Sequence, residues 1–146
     1  MAAFGDDRQA RTKLLAGADV AGHALGLAGL GLGHAMAQAV GGRYGLPHGA
    51  LNAICLPAAL RFNEPVAGEE IGRFAAALAT DDPAGRVQEL GLLGGLERLR
   101  DLGVPEDDLD ELGNAASQRG WSKGEPRQAE LCRGRRTPTF RLVRPD

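Results

Sequence analysis

The sequence predicts an all-α fold, a multi-helix bundle. Apolar residues recur at intervals of three or four through most of the first 116 residues, which is the helical period, and no run alternates with the period of a strand. Glycine- and proline-containing breaks divide this region into separate helical runs. We therefore expect a helical domain over residues 1–116, followed by a basic, poorly ordered tail over residues 117–146.

The first predicted helix extends from about Asp7 to Ala28, and Asp6 or Asp7 can cap its start. Its apolar positions are mostly three or four residues apart: Leu14, Leu15, Ala18, Ala21, Leu25 and Ala28. Such an amphipathic helix is long enough to pack across a bundle. His23 lies among its small apolar residues, where we expect a hydrogen-bonded packing histidine rather than a metal ligand.

The next two helices are separated by a glycine-rich turn. The second helix carries His34 and is expected to end at the Gly41-Gly42 pair, because glycine commonly ends helices. The third extends from Gly49 to Phe62, and Pro57 within it should kink the run or mark a local opening.

Shorter helical runs complete the domain. Asn63-Glu64-Pro65 breaks the chain before a helix over residues 68–79. The run Asp81-Asp82-Pro83 supplies an N-cap, with the proline in the first turn of a helix that ends near Leu90. Another turn or two is expected over residues 96–102, and a last short helix over residues 104–116.

Length and composition limit the class of protein. A chain of 146 residues suits one domain and is too short for both a dinucleotide-binding unit and an ordinary substrate domain. No apolar run reaches the roughly 18 residues of a membrane span, and the start lacks the layout of a secretory signal. We expect a cytoplasmic protein with no membrane partner. Cys55 and Cys132 form neither a disulfide framework nor a metal-ligand cluster.

Charge is distributed unevenly along the chain. Residues 117–146 carry eight Arg and Lys against three acidic residues, a net +5, whereas residues 1–116 carry nine against sixteen, a net −7. A basic arm of this kind can bind nucleic acid. The tail nevertheless has few aromatic residues, only Trp121 and Phe140, and no helical period, so a loosely held extension is the preferred interpretation.

Two of the three histidines, His34 and His48, lie fourteen positions apart on either side of the glycine-rich turn. A helix-turn-helix arrangement would bring both imidazoles to one place, as in half of a metal site. The spacing lacks the close ligand pairs of zinc sites, and two ligands are fewer than such a site needs. By spacing alone, packing and capping roles are favoured over metal ligation.

The segment over residues 29–63 resembles the signature region of the iron-containing alcohol dehydrogenases, a family that includes the maleylacetate reductases. The matching positions are Gly31, Leu32, His34, Gln38, Gly41, Gly42, Tyr44, Pro47, His48, Gly49, Asn52, Ala53, Leu56, Pro57, Arg61, Phe62 and Asn63. A weaker resemblance extends from about Asp6 to about Ala116.

This resemblance implies the helical carboxy-terminal domain of a dehydroquinate synthase-like, two-domain enzyme. The iron-containing alcohol dehydrogenases transfer hydride between NAD(P) and an alcohol or keto-acid substrate, and hold a divalent metal, iron or zinc, on one aspartate and three histidines. His34 and His48 fall on two of these ligands, so both are candidate metal ligands; in relatives that work without metal they would contact substrate instead. Gln38 stands where many relatives have histidine, which puts proton relay there in doubt.

Other implications concern what this chain has and lacks. The resemblance predicts no catalytic residue and no identifiable cofactor-binding residue here, while Arg43 and Tyr44 either border the substrate or occupy a plain surface loop. The other two metal ligands and the nucleotide-binding segment would precede residue 1. We therefore expect a truncated product, inactive alone, that a separately encoded nucleotide-binding domain could complete. The atypical tail suggests an out-of-frame reading of the coding sequence.

A second hypothesis assigns the chain to a different class of protein. Truncation would leave an apolar face exposed, so the chain would be a non-catalytic helical interaction protein or a homo-oligomer. A basic-tailed nucleic-acid binder is a third and weaker interpretation.

Overall fold

The computed structural model describes residues 6–96 and 98–118, and within them every regular element is helical. The α-helices are α1 (Arg8–Ala28), α2 (Leu32–Tyr44), α3 (His48–Asn63), α4 (Gly68–Ala77), α5 (Pro83–Leu92) and α6 (Leu109–Gln118). Short 3-10 helices occupy Leu99–Leu102 and Glu106–Asp108. The all-α prediction is confirmed. Beyond Gln118, the predicted tail lies outside the described residues.

Helix α2 lies at the centre of the packing. It packs against α3 on one side and α6 on the other, while α5 packs against α3 and α4 lies beside α5. One buried cluster joins α2 to α3 and the end of α6, through residues that include Met36, Cys55 and Ala116. A second cluster joins the other face of α2 to Leu51 and Leu112. The core is therefore built around α2.

Small residues let α2 and α3 approach closely. A Cβ atom built at Gly33 would lie 3.5 Å from the Cβ of Ala59, and one built at Gly41 would lie 3.1 Å from a methyl carbon of Leu51. The second contact is tighter than ordinary van der Waals packing. Glycine at position 41 therefore fits the close approach of the fully buried Leu51.

The predicted starts of α1 and α5 are confirmed. The Asp7 carboxylate accepts hydrogen bonds from the backbone N–H groups of Gln9 and Ala10, at 2.8 and 3.1 Å. The Asp82 carboxylate likewise accepts one from the N–H of Gly85 at 2.8 Å. These caps satisfy N–H groups that have no partner within the helix.

Several predicted helix ends were wrong. Helix α2 continues through Gly41 and Gly42 to Tyr44, and it ends at Gly45 in the left-handed conformation, at φ 65°. Helix α4 ends at Ala77 rather than at residue 79, and the last α-helix begins at Leu109 rather than at residue 104. The glycine pair does not stop α2 because burial of the neighbouring residues outweighs the cost of glycine, about 1 kcal/mol per residue.

The third helix is continuous from His48 to Asn63 and includes Pro57, which is buried. Proline donates no hydrogen bond, so the carbonyl of Ala53 loses its usual helical donor at this point. Leu51 and Cys55 of this helix are fully buried in the core.

Helix α1 does not pack across the bundle as the sequence predicted. None of its residues is buried, and Leu15, Val20 and Leu27 are 71%, 68% and 91% exposed. Helical period alone does not provide a surface to pack against, and nothing within the described residues covers this helix. Among those residues no single helix is long and apolar enough to cross a bilayer; α1 and α2 satisfy length and composition only as a pair bent by 95°.

Candidate metal centre

The two candidate ligands lie near the starts of consecutive helices. His34 is the third residue of α2, and His48 is the first residue of α3. His34 is half-buried beside the core residues Ala35 and Met36, whereas His48 is exposed. The backbone position of His34 is thus set by the core, while that of His48 depends on the turn that leads into α3.

The fold brings these two side chains together. The Nε2 atoms of His34 and His48 are 2.9 Å apart, and the ring centroids are 4.7 Å apart with an angle of 62° between the rings. The two imidazoles therefore lie side by side, as the helix-turn-helix arrangement suggested. This placement requires the angle between α2 and α3, which the sequence pattern does not specify.

The separation of these nitrogens is compatible with two chemical roles. Two nitrogens at about 2.0–2.1 Å from one metal ion lie about 2.9 Å apart at a right angle and about 3.4 Å apart in a tetrahedron. The same 2.9 Å fits a hydrogen bond between neutral imidazoles, in which one Nε2–H donates to the other Nε2. The pair can hence serve as adjacent metal ligands or bind each other.

The local environment favours the neutral form of His34. Partial burial lowers the pKa of His34 from its ordinary 6.5, and the nearby imidazole of His48 lowers it further. A neutral imidazole is the form that binds a metal ion. The ring is therefore held in the state that either role requires.

No third candidate ligand joins this pair within the described residues. Over residues 6–96 and 98–118, no group of three or more His, Cys, Asp or Glu side chains could hold a metal ion. His23 lies on exposed α1, where its Nδ1 is 3.1 Å from the carbonyl oxygen of Asp19. It is hydrogen-bonded as expected but not packed. Gln38 is half-buried on α2.

Arg43 and Tyr44 make polar contacts with the last part of the fold. The Tyr44 hydroxyl donates to the carboxylate of Asp108. Arg43 places Nη1 2.7 Å from Glu111 Oε2 and Nη2 3.3 Å from Asp108 Oδ2. Hydrogen bonding to Asp108 raises the pKa of Tyr44, and hydrogen bonding to Glu111 raises that of Arg43. These four residues form what we call the α2–α6 polar cluster.

The sequence does not reveal the contacts that Asp108 and Glu111 make with α2. The acidic run that contains them predicts the start of a helix, and no local pattern links it to Tyr44, 64 positions earlier. Cys55 has no visible chemical role, since it is buried and burial raises the pKa of its thiol to about 12.

Comparison with known proteins places these residues in context. Residues 1–132 match the sequence profile described as the Fe-containing alcohol dehydrogenase family, C-terminal. The match extends beyond Ala116 into the predicted tail. The domain boundary at residues 116 and 117 remains a prediction.

Individual relatives agree with that match. Maleylacetate reductase 2 of Cupriavidus pinatubonensis is 44% identical over 79 residues, covering 54% of this chain and 22% of the relative. Maleylacetate reductase 1 of Rhodococcus opacus is 33% identical over 122 residues, covering 83% and 34%. Lactaldehyde reductase of Escherichia coli is 33% identical over 137 residues, covering 86% and 36%. The matches thus span about a fifth to about a third of the length of these relatives.

Proposed function

The chain belongs to the iron-containing alcohol dehydrogenase family, and on that premise we propose that it provides the metal- and substrate-binding helical part of an NAD(P)-dependent alcohol dehydrogenase or maleylacetate reductase. The observation that carries the proposal is the 2.9 Å separation of the His34 and His48 Nε2 atoms, which suits two ligands of one metal ion. The substrate is a small alcohol or keto acid, the class that the family resemblance implies.

In this proposal His34 and His48 act as neutral imidazole ligands, which suit iron or zinc. When bound, such a metal supplies Lewis acidity that stabilises negative charge on a substrate oxygen. The close packing of α2 on α3 brings the two imidazoles to one place. If the metal is absent, the same two rings face the substrate and offer it hydrogen bonds.

The chain alone is proposed to be inactive. Two imidazoles bind a metal far less tightly than the three or four protein ligands of a zinc site. Hydride transfer also needs a bound nicotinamide cofactor as donor or acceptor. A nucleotide-binding domain that carries the remaining ligands, on the same or on another polypeptide, would complete the site.

Metal titration tests the assignment. We expect weak binding of Zn²⁺ or Fe²⁺ by calorimetry, with the affinity reduced at least tenfold in His34→Ala and in His48→Ala. His23→Ala is the matched control, because it removes the remaining histidine from exposed α1, and it should leave binding unchanged. A metal affinity that is unchanged in both His34→Ala and His48→Ala would contradict the assignment of these residues as ligands.

An activity assay tests the proposed incompleteness. The chain is mixed with the amino-terminal domain of a maleylacetate reductase, and oxidation of NADH or NADPH by maleylacetate is followed. We expect no oxidation with the chain alone and oxidation that depends on His34 and His48 in the mixture. Turnover by the isolated chain would overturn the proposed inactivity.

Exposed α1 favours a second candidate function, that of a non-catalytic interaction or self-associating protein. The helix is about 32 Å long, and its leucine and valine side chains include some of the most exposed apolar residues of the described chain. Burial of each such side chain is worth about 1.5–3 kcal/mol, so a partner surface would stabilise the helix considerably. In this alternative the helix α1 binds another protein or a second copy.

Sedimentation velocity distinguishes the two candidates. Self-association predicts a mass that rises with concentration, without metal or nucleotide, and falls back to the monomer in Leu14→Glu and Leu25→Glu, which lie on one face of α1 and are 56% and 41% exposed. Thr12→Glu, on the polar stripe that also contains Asp19 and His23, is the matched control. A monomer at all concentrations, without binding of other proteins, would rule this candidate out.

A further inference from the structure

We propose that the α2–α6 polar cluster (Arg43, Tyr44, Asp108 and Glu111) positions the turn before α3 and so holds His48 against His34. The value of this positioning for metal binding rests on the function proposed above. These residues would act through the turn rather than by touching the metal or the substrate.

The cluster fixes the end of α2 to the segment that leads into α6. Tyr44 is the last residue of α2, and its hydroxyl donates to Asp108, while Arg43 is shared between Asp108 and Glu111. The side chain of Asp108 is only 28% exposed and receives both contacts. Hydrogen bonds to an ionised group are stronger than those between neutral groups, so Asp108 is the central acceptor.

Apolar packing supports the same anchor. Tyr44 and Leu46 pack, half-buried, on the cluster formed by Val40, Leu51, Val104 and Leu112. The Tyr44 ring is therefore held between α2 and α6, and its hydroxyl is directed at Asp108. Rotation of the ring would break that hydrogen bond and disturb the packing together.

Only three residues, 45–47, separate this anchor from His48. Gly45 adopts the left-handed conformation and Pro47 precedes the first residue of α3 with φ −59°. Pro47 has a ring-restricted φ, so the short turn has few free dihedral angles. A shift of Tyr44 is consequently transmitted to the backbone of His48.

The two histidines differ in how they are held. His34 lies between buried residues of α2, whereas His48 is exposed at the first position of α3, and its ring nitrogen contacts His34. Small displacements matter, because metal ligation tolerates errors of only about 0.2 Å in ligand distance. The cluster therefore acts on the less constrained of the two ligands.

Ring-proton NMR tests the positioning directly. In the native chain we expect a nuclear Overhauser effect between the His34 and His48 rings, whose centroids are 4.7 Å apart. Tyr44→Phe removes only the hydroxyl oxygen, and Asp108→Ala removes its acceptor; each should weaken the ring contact and reduce Zn²⁺ affinity about two- to tenfold, the effect of losing one hydrogen bond. Asp108→Asn, which retains an acceptor for Tyr44, should recover part of both signals.

Arg61→Gln is the matched control. It removes another ion pair between separate elements, with Arg61 Nη2 3.7 Å from Asp82 Oδ2, at the opposite end of α3. It should leave the ring contact and the Zn²⁺ affinity unchanged, and circular dichroism verifies that every variant retains native helix content.

The outcomes separate this inference from the proposed function. A ring contact that stays at native intensity in both Tyr44→Phe and Asp108→Ala would overturn the inference, whatever the metal result. A Zn²⁺ affinity that is the same in His34→Ala and His48→Ala as in the native chain would overturn the proposed function. In that case, loss of the ring contact in Tyr44→Phe would still support the positioning role.

Discussion

The glycine at position 41 offers a sharp test of how closely α2 and α3 pack. In Gly41→Ala the new Cβ would lie 3.1 Å from the Cδ1 atom of Leu51, which is fully buried and held between α2 and the residues of α6. Leu51 must move by a few tenths of an ångström for the methyl group to fit. The carbonyl oxygen of Leu46 would lie 3.7 Å from the same Cβ, which is an ordinary contact, so Leu51 alone opposes the methyl group.

Two opposing contributions decide whether Gly41→Ala raises or lowers the free energy of unfolding. Alanine is favoured over glycine in a helix interior by about 0.8–1.0 kcal/mol. Insertion of a methyl group into a well-packed core costs about 1–3 kcal/mol. We therefore expect Gly41→Ala to lower the free energy of unfolding by up to about 2 kcal/mol, despite its better helix propensity.

Gly72→Ala is the matched control, because Gly72 lies inside α4 and a Cβ there meets nothing within 4 Å. This variant should gain up to about 1 kcal/mol from helix propensity alone. Urea unfolding followed by circular dichroism gives both values, and their difference isolates the contact with Leu51. If Gly41→Ala proves as stabilising as Gly72→Ala, then α2 and α3 do not approach each other as closely at Gly41 as the structure shows.

Three further predictions concern a helix cap, a buried thiol and a titrating ring. Asp82→Ala should lower the free energy of unfolding by about 1 kcal/mol in urea titrations, because α5 loses its capping carboxylate, whereas Asp81→Ala should not. In a Cys132→Ser chain, Cys55 should react with a disulfide reagent only on unfolding, since burial raises its pKa to about 12; rapid labelling of the folded chain would contradict this. His34 should titrate by NMR below pH 6.5, because burial and a neighbouring imidazole lower its pKa. Its contribution to stability is then complete above pH 6.5 and lost as the pH falls through the folded pKa, and a midpoint at or above 6.5 would refute this.

Aspartate caps predicted two helix starts correctly, whereas a glycine pair failed to predict a helix end. Asp7 and Asp82 mark helix starts in the sequence and cap those helices in the structure, because a cap involves only residues two or three positions apart. The Gly41-Gly42 pair failed as an end signal. Whether glycine ends a helix depends on what its neighbours bury, and α2 is buried on two faces by α3 and α6.

Some residues of the candidate site were identifiable from the sequence, and others were not. His34 and His48 were identifiable from their residue type, their position around a turn and the family motif. Asp108 was not, because its contact with Tyr44 joins residues 64 positions apart, and no periodic pattern encodes such a pair. The residues that hold the site together were thus less visible than those proposed to bind the metal.

The sequence by itself determined the helical class, the position of most helices, the family and the two histidines, since each depends on local pattern or on motif residues. Tertiary structure decided which apolar residues are covered. Leu27 of α1 is 91% exposed while Leu51 of α3 is fully buried, although both are leucines within predicted helices. Burial requires a second surface, and that surface is supplied by residues distant in the chain. The 2.9 Å approach of the two imidazoles has the same origin, because it depends on how α2 and α3 pack rather than on either helix alone.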